Sequence, residues 1–425
     1  MRILLIGSGG REHAMAWKIS RSPLCDRLYV APGNAGTALC GENVDVQPND
    51  KVAVGDFVRS RAVDMVVVGP EEPLVKGLAD YFAADTHLRK VMFLGPSSEG
   101  ARLEGSKAYA KAFMERHKIP SAAYRAFDRD QLTEAREFLG KFSPPYVLKA
   151  DGLAAGKGVM ICATREEAEL ALDEMLREGK FGEASSTVVI EEFLKGQEMS
   201  VFVLTDGETY QVLPAAKDYK RVGEDDTGTN TGGMGAVSPV PFAGGEVMRR
   251  IEDRIIQPTI EGIRKERIDY RGFIFFGLML VDGNPYVIEY NVRLGDPETE
   301  VIIPRLESDL VELMKAACNG TLKDCTPVIS PGYALTVMLT SGGYPAAYKK
   351  GYAIEGIEEV DGSQLFFAGV KKEADQLVTN GGRVIAVTSL AGDLESARSV
   401  SYANARVVDF KGKYYRRDIG KDLLQ

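Results

Sequence analysis

Asn284-Pro-Tyr-Val-Ile-Glu-Tyr-Asn-Val-Arg-Leu-Gly-Asp-Pro-Glu-Thr299 is the stretch from which the rest of the chain is best read. Side chains of a strand alternate faces with period two, so Glu289, Asn291 and Arg293 are expected to point the same way. A carboxylate, a carboxamide oxygen and a guanidinium on one face suit a metal-bound polyphosphate. Mg²⁺ takes hard oxygen ligands, usually one or two protein carboxylates, and fills its other positions with phosphate oxygens and water. The Arg fork matches a phosphoryl group bidentately. Taken alone, the same residues also read as a surface ion-pair strand.

A second phosphate-type segment upstream favours the first reading. Lys149-Ala-Asp-Gly-Leu-Ala-Ala-Gly-Lys-Gly158 resembles a Walker loop without being one, because only three residues separate Gly152 from Gly156 and Gly158 replaces the Ser or Thr. Both flanks read as strands, so the segment is expected to be a hairpin tip. Its backbone N–H groups and Lys157 would fold over an anion, with Lys149 reaching the phosphates as a point charge. The bland alternative is an ordinary turn. Three Gly and two Lys beside small Ala residues favour the phosphate reading.

Working outward, 425 residues imply two to four domains. Hydrophobic content of 44% and charged content of 27% are those of a globular chain. A net charge of −9 without a basic block argues against nucleic acid or a membrane surface as the partner. Five Cys without C-x-x-C spacing read mostly as buried thiols in a reducing compartment. Three His without paired spacing offer no zinc site. No signal-peptide pattern or long apolar run is seen, so a cytoplasmic protein is expected.

The expected fold class is α/β: a Rossmann-like N-domain, a two-lobed nucleotide module and a small α/β C-terminal domain. In residues 1–101, apolar runs at Ile3–Ile6, Leu28–Val30, Met65–Val68 and Val91–Leu94 end in Gly or Pro turns, as in βαβ units around a parallel sheet. Residues 102–325 form the second unit, with a small lobe at 121–190 inserted. Expected there are a helix at Ser106–His117, strands at Tyr146–Ala150 and Gly158–Cys162, a helix near 246–266 and another near 308–318. Residues 326–425 form the third unit.

Gly7-Ser-Gly-Gly-Arg-Glu-His13 falls short of a dinucleotide fingerprint, since Glu12 stands where the third Gly is needed and Ala31-Pro32-Gly33 offers no carboxylate to a ribose. Such a turn before a helix can still bind a monophosphate, with Arg11 well placed. His13 reads as a capping or packed residue. Val189-Ile-Glu-Glu-Phe-Leu194 and Glu198 read either as a solvated edge or as a hinge offering backbone to adenine and carboxylate to ribose. Ala215-Ala-Lys-Asp-Tyr-Lys-Arg221 and the Gly-rich stretch to Gly235 are too long and polar for a plain connector, and read as a substrate loop.

Taken in order, Ile6-Gly-Ser-Gly-Gly-Arg-Glu-His-Ala14, Ala31-Pro-Gly-Asn-Ala-Gly36, Val68-Gly-Pro-Glu-Glu-Pro-Leu74, Glu104-Gly-Ser-Lys107, Lys149–Val159, Asn230-Thr-Gly-Gly-Met-Gly-Ala236 and Gly295-Asp-Pro-Glu-Thr299 closely resemble the phosphoribosylamine–glycine ligase family of the ATP-grasp superfamily. The likeness runs nearly end to end, through Thr379-Asn-Gly-Gly-Arg-Val384 and Arg417-Asp-Ile-Gly420. It implies a monofunctional enzyme that joins glycine to 5-phosphoribosylamine. ATP is spent through glycyl phosphate, and the products are glycinamide ribonucleotide, ADP and phosphate, in the second step of purine biosynthesis.

By that resemblance, Glu289 and Asn291 hold Mg²⁺ or Mn²⁺. Lys107, Lys149, Gly152, Gly156, Lys157 and Gly158 handle the ATP phosphates, and Glu191, Phe193, Leu194 and Glu198 line the adenosine site. Arg293 and Asp296 face the reacting centre. Gly9, Gly10, Arg11, Glu12, Asn34, Asp218, Lys220, Arg221, Gly232 and Gly233 hold the phosphoribosylamine. A monomer is implied, with a weak homodimer as the alternative. Departures are local: Lys217-Asp-Tyr-Lys-Arg221 stands where relatives commonly have Gln-Asp-His-Lys-Arg, Thr229 where Pro is common, and Val292 and Leu294 flank Arg293. Phe273–Val281 contributes no carboxylate to a second ion. Other readings are another ATP-grasp ligase or carboxylase, a nucleotide sensor without catalysis, and an NAD-dependent dehydrogenase, which the missing Gly and ribose carboxylate oppose.

Overall fold

The structure is a computed structural model that describes residues 1–154 and 158–424. In the N-terminal part, β1 (Arg2–Gly7), β2 (Arg27–Pro32), β3 (Glu42–Asn43), β4 (Met65–Val68) and β5 (Met92–Leu94) form a parallel sheet in the order β3-β2-β1-β4-β5. Four of these strands are the apolar runs seen in the sequence. The fifth, β3, has two polar residues and carries no hydrophobic signal. The order reverses at β1, so the loops after β1 and β4 open on one crevice.

The small lobe holds β6 (Tyr124–Asp128), β7 (Tyr146–Ala150), β8 (Val159–Cys162) and β9 (Thr187–Glu191), antiparallel in the order β6-β9-β7-β8. Helices Leu132–Leu139 and Arg165–Leu172 pack on it around Phe127, Leu148, Leu172 and Ile190. This core belongs to the lobe alone. By contrast, Leu4, Ile6 and Val66 of the N-terminal sheet share one core with Ile274, Phe276 and Tyr290 of the large lobe.

The remaining strands are β10 (Gln197–Thr205), β11 (Tyr210–Asp218), β12 (Arg221–Gly223), β13 (Thr227–Asn230), β14 (Gly235–Ser238), β15 (Gly272–Val281), β16 (Asn284–Asn291), β17 (Tyr333–Thr340), β18 (Gln364–Phe367), β19 (Val370–Glu373), β20 (Gln376–Thr379) and β21 (Arg383–Ala391). Eight of them make one sheet in the order β16-β15-β10-β11-β14-β17-β21-β18. The large lobe and the C-terminal strands therefore share a sheet, joined where β14 pairs with β17.

Two helices differ from expectation. The one expected near 246–266 is Gly245–Ile251 and Gln257–Lys265, joined by a π turn at Glu252–Ile256. Pro258 at the junction lacks the N–H that an unbroken ladder needs. Helix Thr299–Arg305, directly after the metal-type hairpin, was not expected.

Strand β18 is an edge of the large sheet, and the N-terminal domain closes it. Phe367 N–H donates to His13 Nδ1 at 2.7 Å, and Asn34 Nδ2 donates to Phe367 O at 2.6 Å. His13, on helix Gly10–Ile19, is buried between the rings of Phe366 and Phe367. Burial pushes its pKa down to about 4. The unfolded chain therefore binds one more proton than the fold between about pH 6.5 and about pH 4, and the neutral ring's contribution is lost as pH falls through that window. Replacing His13 by Asn, which keeps an acceptor but does not titrate, should show this. The stability advantage of the wild type over His13→Asn should shrink by about 2 kcal/mol between about pH 7 and about pH 5 in urea unfolding.

Candidate active site

The hairpin β15–β16 closes on Asp282-Gly283, both at positive φ (49° and 73°), the two-residue turn that suits antiparallel strands. Its register breaks once. Gly277 pairs with Glu289 but Leu278 pairs with Val287, leaving Ile288 as an extra residue. Before the break Val287 faces the core, and after it Tyr290 does, while Glu289 and Asn291 turn to a cavity of about 1210 Å³. Strict alternation would have put Glu289 on the face of Val287. The strand ends at Asn291, and Arg293 reaches the same cavity from the following turn. Gly277 is required here, since a Cβ on it would lie 2.8 Å from Glu289 Cγ.

The bulge also frees a carbonyl. Lys149 Nζ donates to Ile288 O at 3.1 Å and pairs with Glu191 Oε2 at 3.0 Å. Lys111, which sequence reasoning passed over, meets the same Glu191 oxygen at 3.2 Å and is pushed down to about 8 by burial, partly offset by Glu191. Among the described residues, Glu191 Oε1 is buried without a partner. Lys107 Nζ donates to Gly152 O at 3.2 Å, and burial lowers its pKa, as does nearby Lys149. Gly158, Phe193 and Leu194 line the cavity with them. Gly156 and Lys157 lie outside the described residues.

Lys220 pairs with Glu198 and stands 3.6 Å from Glu289 Oε1. Burial disfavours the charged form of Glu289, but Lys220, Lys149, Arg293 and Lys107 outweigh it and hold the carboxyl below its usual range. Asp218 shares this pocket. Burial and the neighbouring Glu298, Glu198 and Glu289 push its carboxyl up, against the pull of Lys220.

Arg293 is held from several sides. It meets Glu71 at 3.3 Å and Glu104 at 2.8 Å, and donates to Asn291 Oδ1 at 2.9 Å. Glu104 also accepts Val292 N–H at 2.8 Å, and burial pushes it up to about 7. Asp296 pairs with Arg383 at 3.0 Å, and Arg383 also donates to the carbonyl of Gly232. Arg383 is the fifth residue of the motif Thr379–Val384, which the resemblance noted without a role.

The N-terminal residues are placed differently from a simple phosphate turn. Glu12 is buried beneath the turn, taking Gly9 N–H at 2.6 Å and Arg11 Nε at 2.6 Å. Arg11 lines the cavity, but its Nη1 donates to Leu294 O at 3.2 Å. Gly10 packs against Glu300, whose two carboxylate oxygens are buried without partners among the described residues and whose pKa burial pushes well up. Asn34 ties the β2 loop to β18 and lies outside the main cavity, beside a smaller one of about 430 Å³. Arg221, Gly232 and Asp218 line the main cavity. Gly233, at φ 113°, lets the loop approach Pro297, to which a Cβ would come within 2.3 Å.

Three family models for phosphoribosylglycinamide synthetase match the chain: the N domain over residues 1–104, the ATP-grasp (A) domain over 105–299 and the C domain over 334–422. The phosphoribosylamine–glycine ligase of Pasteurella multocida is 47% identical over 99% of this chain and 97% of its own length. That of Escherichia coli is 47% identical over 99% and 98%. The chain belongs to the phosphoribosylamine–glycine ligase family. The crystal structure of the Thermotoga maritima ligase matches the fold with a TM-score of 0.85 at 38% identity, over 99% of this chain and 100% of that one. The mixed α/β architecture with an ATP-grasp module is thus that of the family, and the chain is a carbon–nitrogen ligase.

The position of this ligase's Arg293 depends on Glu104. Glu104→Ala leaves Val292 N–H unsatisfied in a buried site and should cost about 1–3 kcal/mol in denaturant unfolding. Glu104→Gln, which keeps an acceptor there, should recover most of that loss.

Proposed function

We propose that this chain ligates glycine to 5-phosphoribosylamine, with ATP consumed through glycyl phosphate, using the residues gathered in the large cavity. The observation that carries this reading is the convergence of Glu289, Asn291 and Arg293 with Lys107, Lys149 and Lys220 around one space at the meeting of the lobes. Such phosphoryl transfer needs positioning and charge neutralisation more than a protein base.

Among the described residues, no group of three or more His, Cys, Asp or Glu side chains is placed to hold a metal. Two oxygen donors on one strand face instead fit Mg²⁺ or Mn²⁺ that completes its shell with ATP phosphates and water. When bound, such an ion neutralises the β- and γ-phosphate charge. Lys107 and Lys149 then hold phosphate oxygens from the other side, with Gly152 and Gly158 beside them. Phe193 and Leu194 supply an apolar wall for adenine. Glu198 is near enough to the cavity rim to take ribose hydroxyls once Lys220 releases it. Glu191 positions Lys111 and Lys149.

Glycine's carboxylate is a poor electrophile, since its leaving group would be an oxide. Transfer of the γ-phosphoryl to a carboxylate oxygen supplies a phosphate leaving group, and Arg293 stabilises the charge that builds on it. Attack by the amine of phosphoribosylamine then forms the amide and releases phosphate. Asp218, Lys220, Arg221, Gly232 and Gly233 of the 217–233 loop, with Gly9, Gly10 and Arg11, hold that second substrate. Asp296 orients Arg383 beside them, and Glu12 and Asn34 shape the turns from beneath. On this reading the working units are 1–101 on the amine side, 102–325 with the lid 121–190, and 326–425. The enzyme acts as a monomer in the cytoplasm.

ADP release should require both glycine and phosphoribosylamine, and release driven by bicarbonate in place of glycine would favour a carboxylase. Glu289→Ala and Asn291→Ala should each abolish turnover and weaken Mn²⁺ binding, read by electron paramagnetic resonance, with circular dichroism unchanged. Near-normal turnover in either folded variant would remove the metal assignment. With [¹⁸O]carboxylate glycine, one label should appear in the released phosphate; label-free phosphate alongside product would sink the acyl-phosphate route.

A further inference from the structure

The motif Arg417-Asp-Ile-Gly420 has no place in the chemistry above, and it lies far along the chain from the substrate loop. In space the two are in contact. Tyr414 Oη donates to Val222 O at 2.8 Å. Arg416, one of the largest fully buried side chains, donates from Nη1 to Arg221 O at 3.1 Å and to Asp226 Oδ1 at 2.7 Å. Its Nε and Nη2 grip Asp418 at 2.9 and 2.7 Å, and Asp418 Oδ2 accepts Asp225 N–H at 2.8 Å. Further on, Asp422 pairs with Lys217 and accepts from Tyr219 Oη at 2.5 Å, and Gly420 N–H donates to that same hydroxyl at 3.0 Å.

The loop needs this clamp. Asp225 and Asp226 are consecutive non-glycine residues at φ 54° and 53°, in the left-handed region that side chains disfavour. Such a conformation persists only where surrounding contacts over-determine it. The ribbon β12–β13 has few interior contacts of its own, being three and four residues long with exposed or half-buried side chains. The ties from residues 414–422 reach the backbone or side chains of Arg221, Val222, Asp225 and Asp226. The charges are matched as well, since a guanidinium fork between two carboxylates is held in one geometry. Arg416 is almost wholly buried while Asp226 is largely exposed, so the clamp's rigid half belongs to the C-terminal segment.

We propose that the C-terminal segment Tyr414–Asp422 sets the shape of the 217–231 loop, with Arg416 as the positioning residue, and so controls binding of the phosphoribosylamine but not of ATP or glycine. This rests on the reading that the loop holds the amine substrate. Asp422, at the end of the segment, lines the cavity, while Arg416 is buried behind the loop. The segment acts by holding Arg221 where a ribose phosphate would meet it.

The test uses the full-length enzyme and three variants. Asp226→Ala cuts the tie at its exposed end and leaves the buried Arg416–Asp418 pair intact, so it folds even if Arg416→Met does not. Both should raise the KM for phosphoribosylamine about tenfold or more and weaken calorimetric binding of glycinamide ribonucleotide in parallel. The KM values for ATP and glycine should stay within about twofold of wild type. A common shift of all three KM values, or no shift in any, would overturn the proposal. Lys220→Met separates it from the underlying reading. If Lys220→Met leaves glycinamide ribonucleotide binding intact, the loop is not the amine site. If that variant weakens binding while Asp226→Ala and a folded Arg416→Met do not, only the clamp is wrong.

Discussion

One inserted residue in β16 governs the site. Side chains of a strand alternate, so the core would claim every second position from Val287 onward. The bulge at Ile288 shifts that phase by one, burying Tyr290 and turning Glu289 and Asn291 outward. The same irregularity leaves Ile288 O free to receive Lys149 from the small lobe. Metal-type oxygens and a phosphate-type ammonium thus meet across two lobes because of one local change in register. Gly277 allows the close approach on the opposing strand.

Charge balance follows from that placement. The cavity gathers Lys107, Lys111, Lys149, Lys220, Arg293 and Arg383, and each of the last five forms an ion pair with a carboxylate. Buried cations would otherwise lose their protons or force the fold open. The small lobe has a core of its own. The N-terminal domain instead shares a core with the large lobe and supplies His13 and Asn34 to the edge of the common sheet.

Much of this was legible in the sequence for simple reasons. Apolar runs ending in Gly and Pro marked β1, β2, β4 and β5, since buried parallel strands must be apolar throughout. Asp309 caps the helix Leu310–Asn319 close to the position expected. The sequence also placed Glu289, Asn291 and Arg293 on one side, and all three line the same cavity.

The three-dimensional arrangement decided what depends on residues distant in sequence. Periodicity cannot show a bulge, because the extra residue is defined by the partner strand. Composition cannot show that Arg11 is bound by Glu12 and Leu294 O, that Lys111 shares Glu191 with Lys149, or that Arg383 and Arg416 reach the 217–233 loop from the C-terminal part. Nor can it show that strands on both sides of residue 325 join one sheet. By itself the sequence determined which functional groups the chain owns and the local elements that carry them. Only the tertiary structure decided which of those groups face each other, because burial and pairing of a charge are set by every element packed around it.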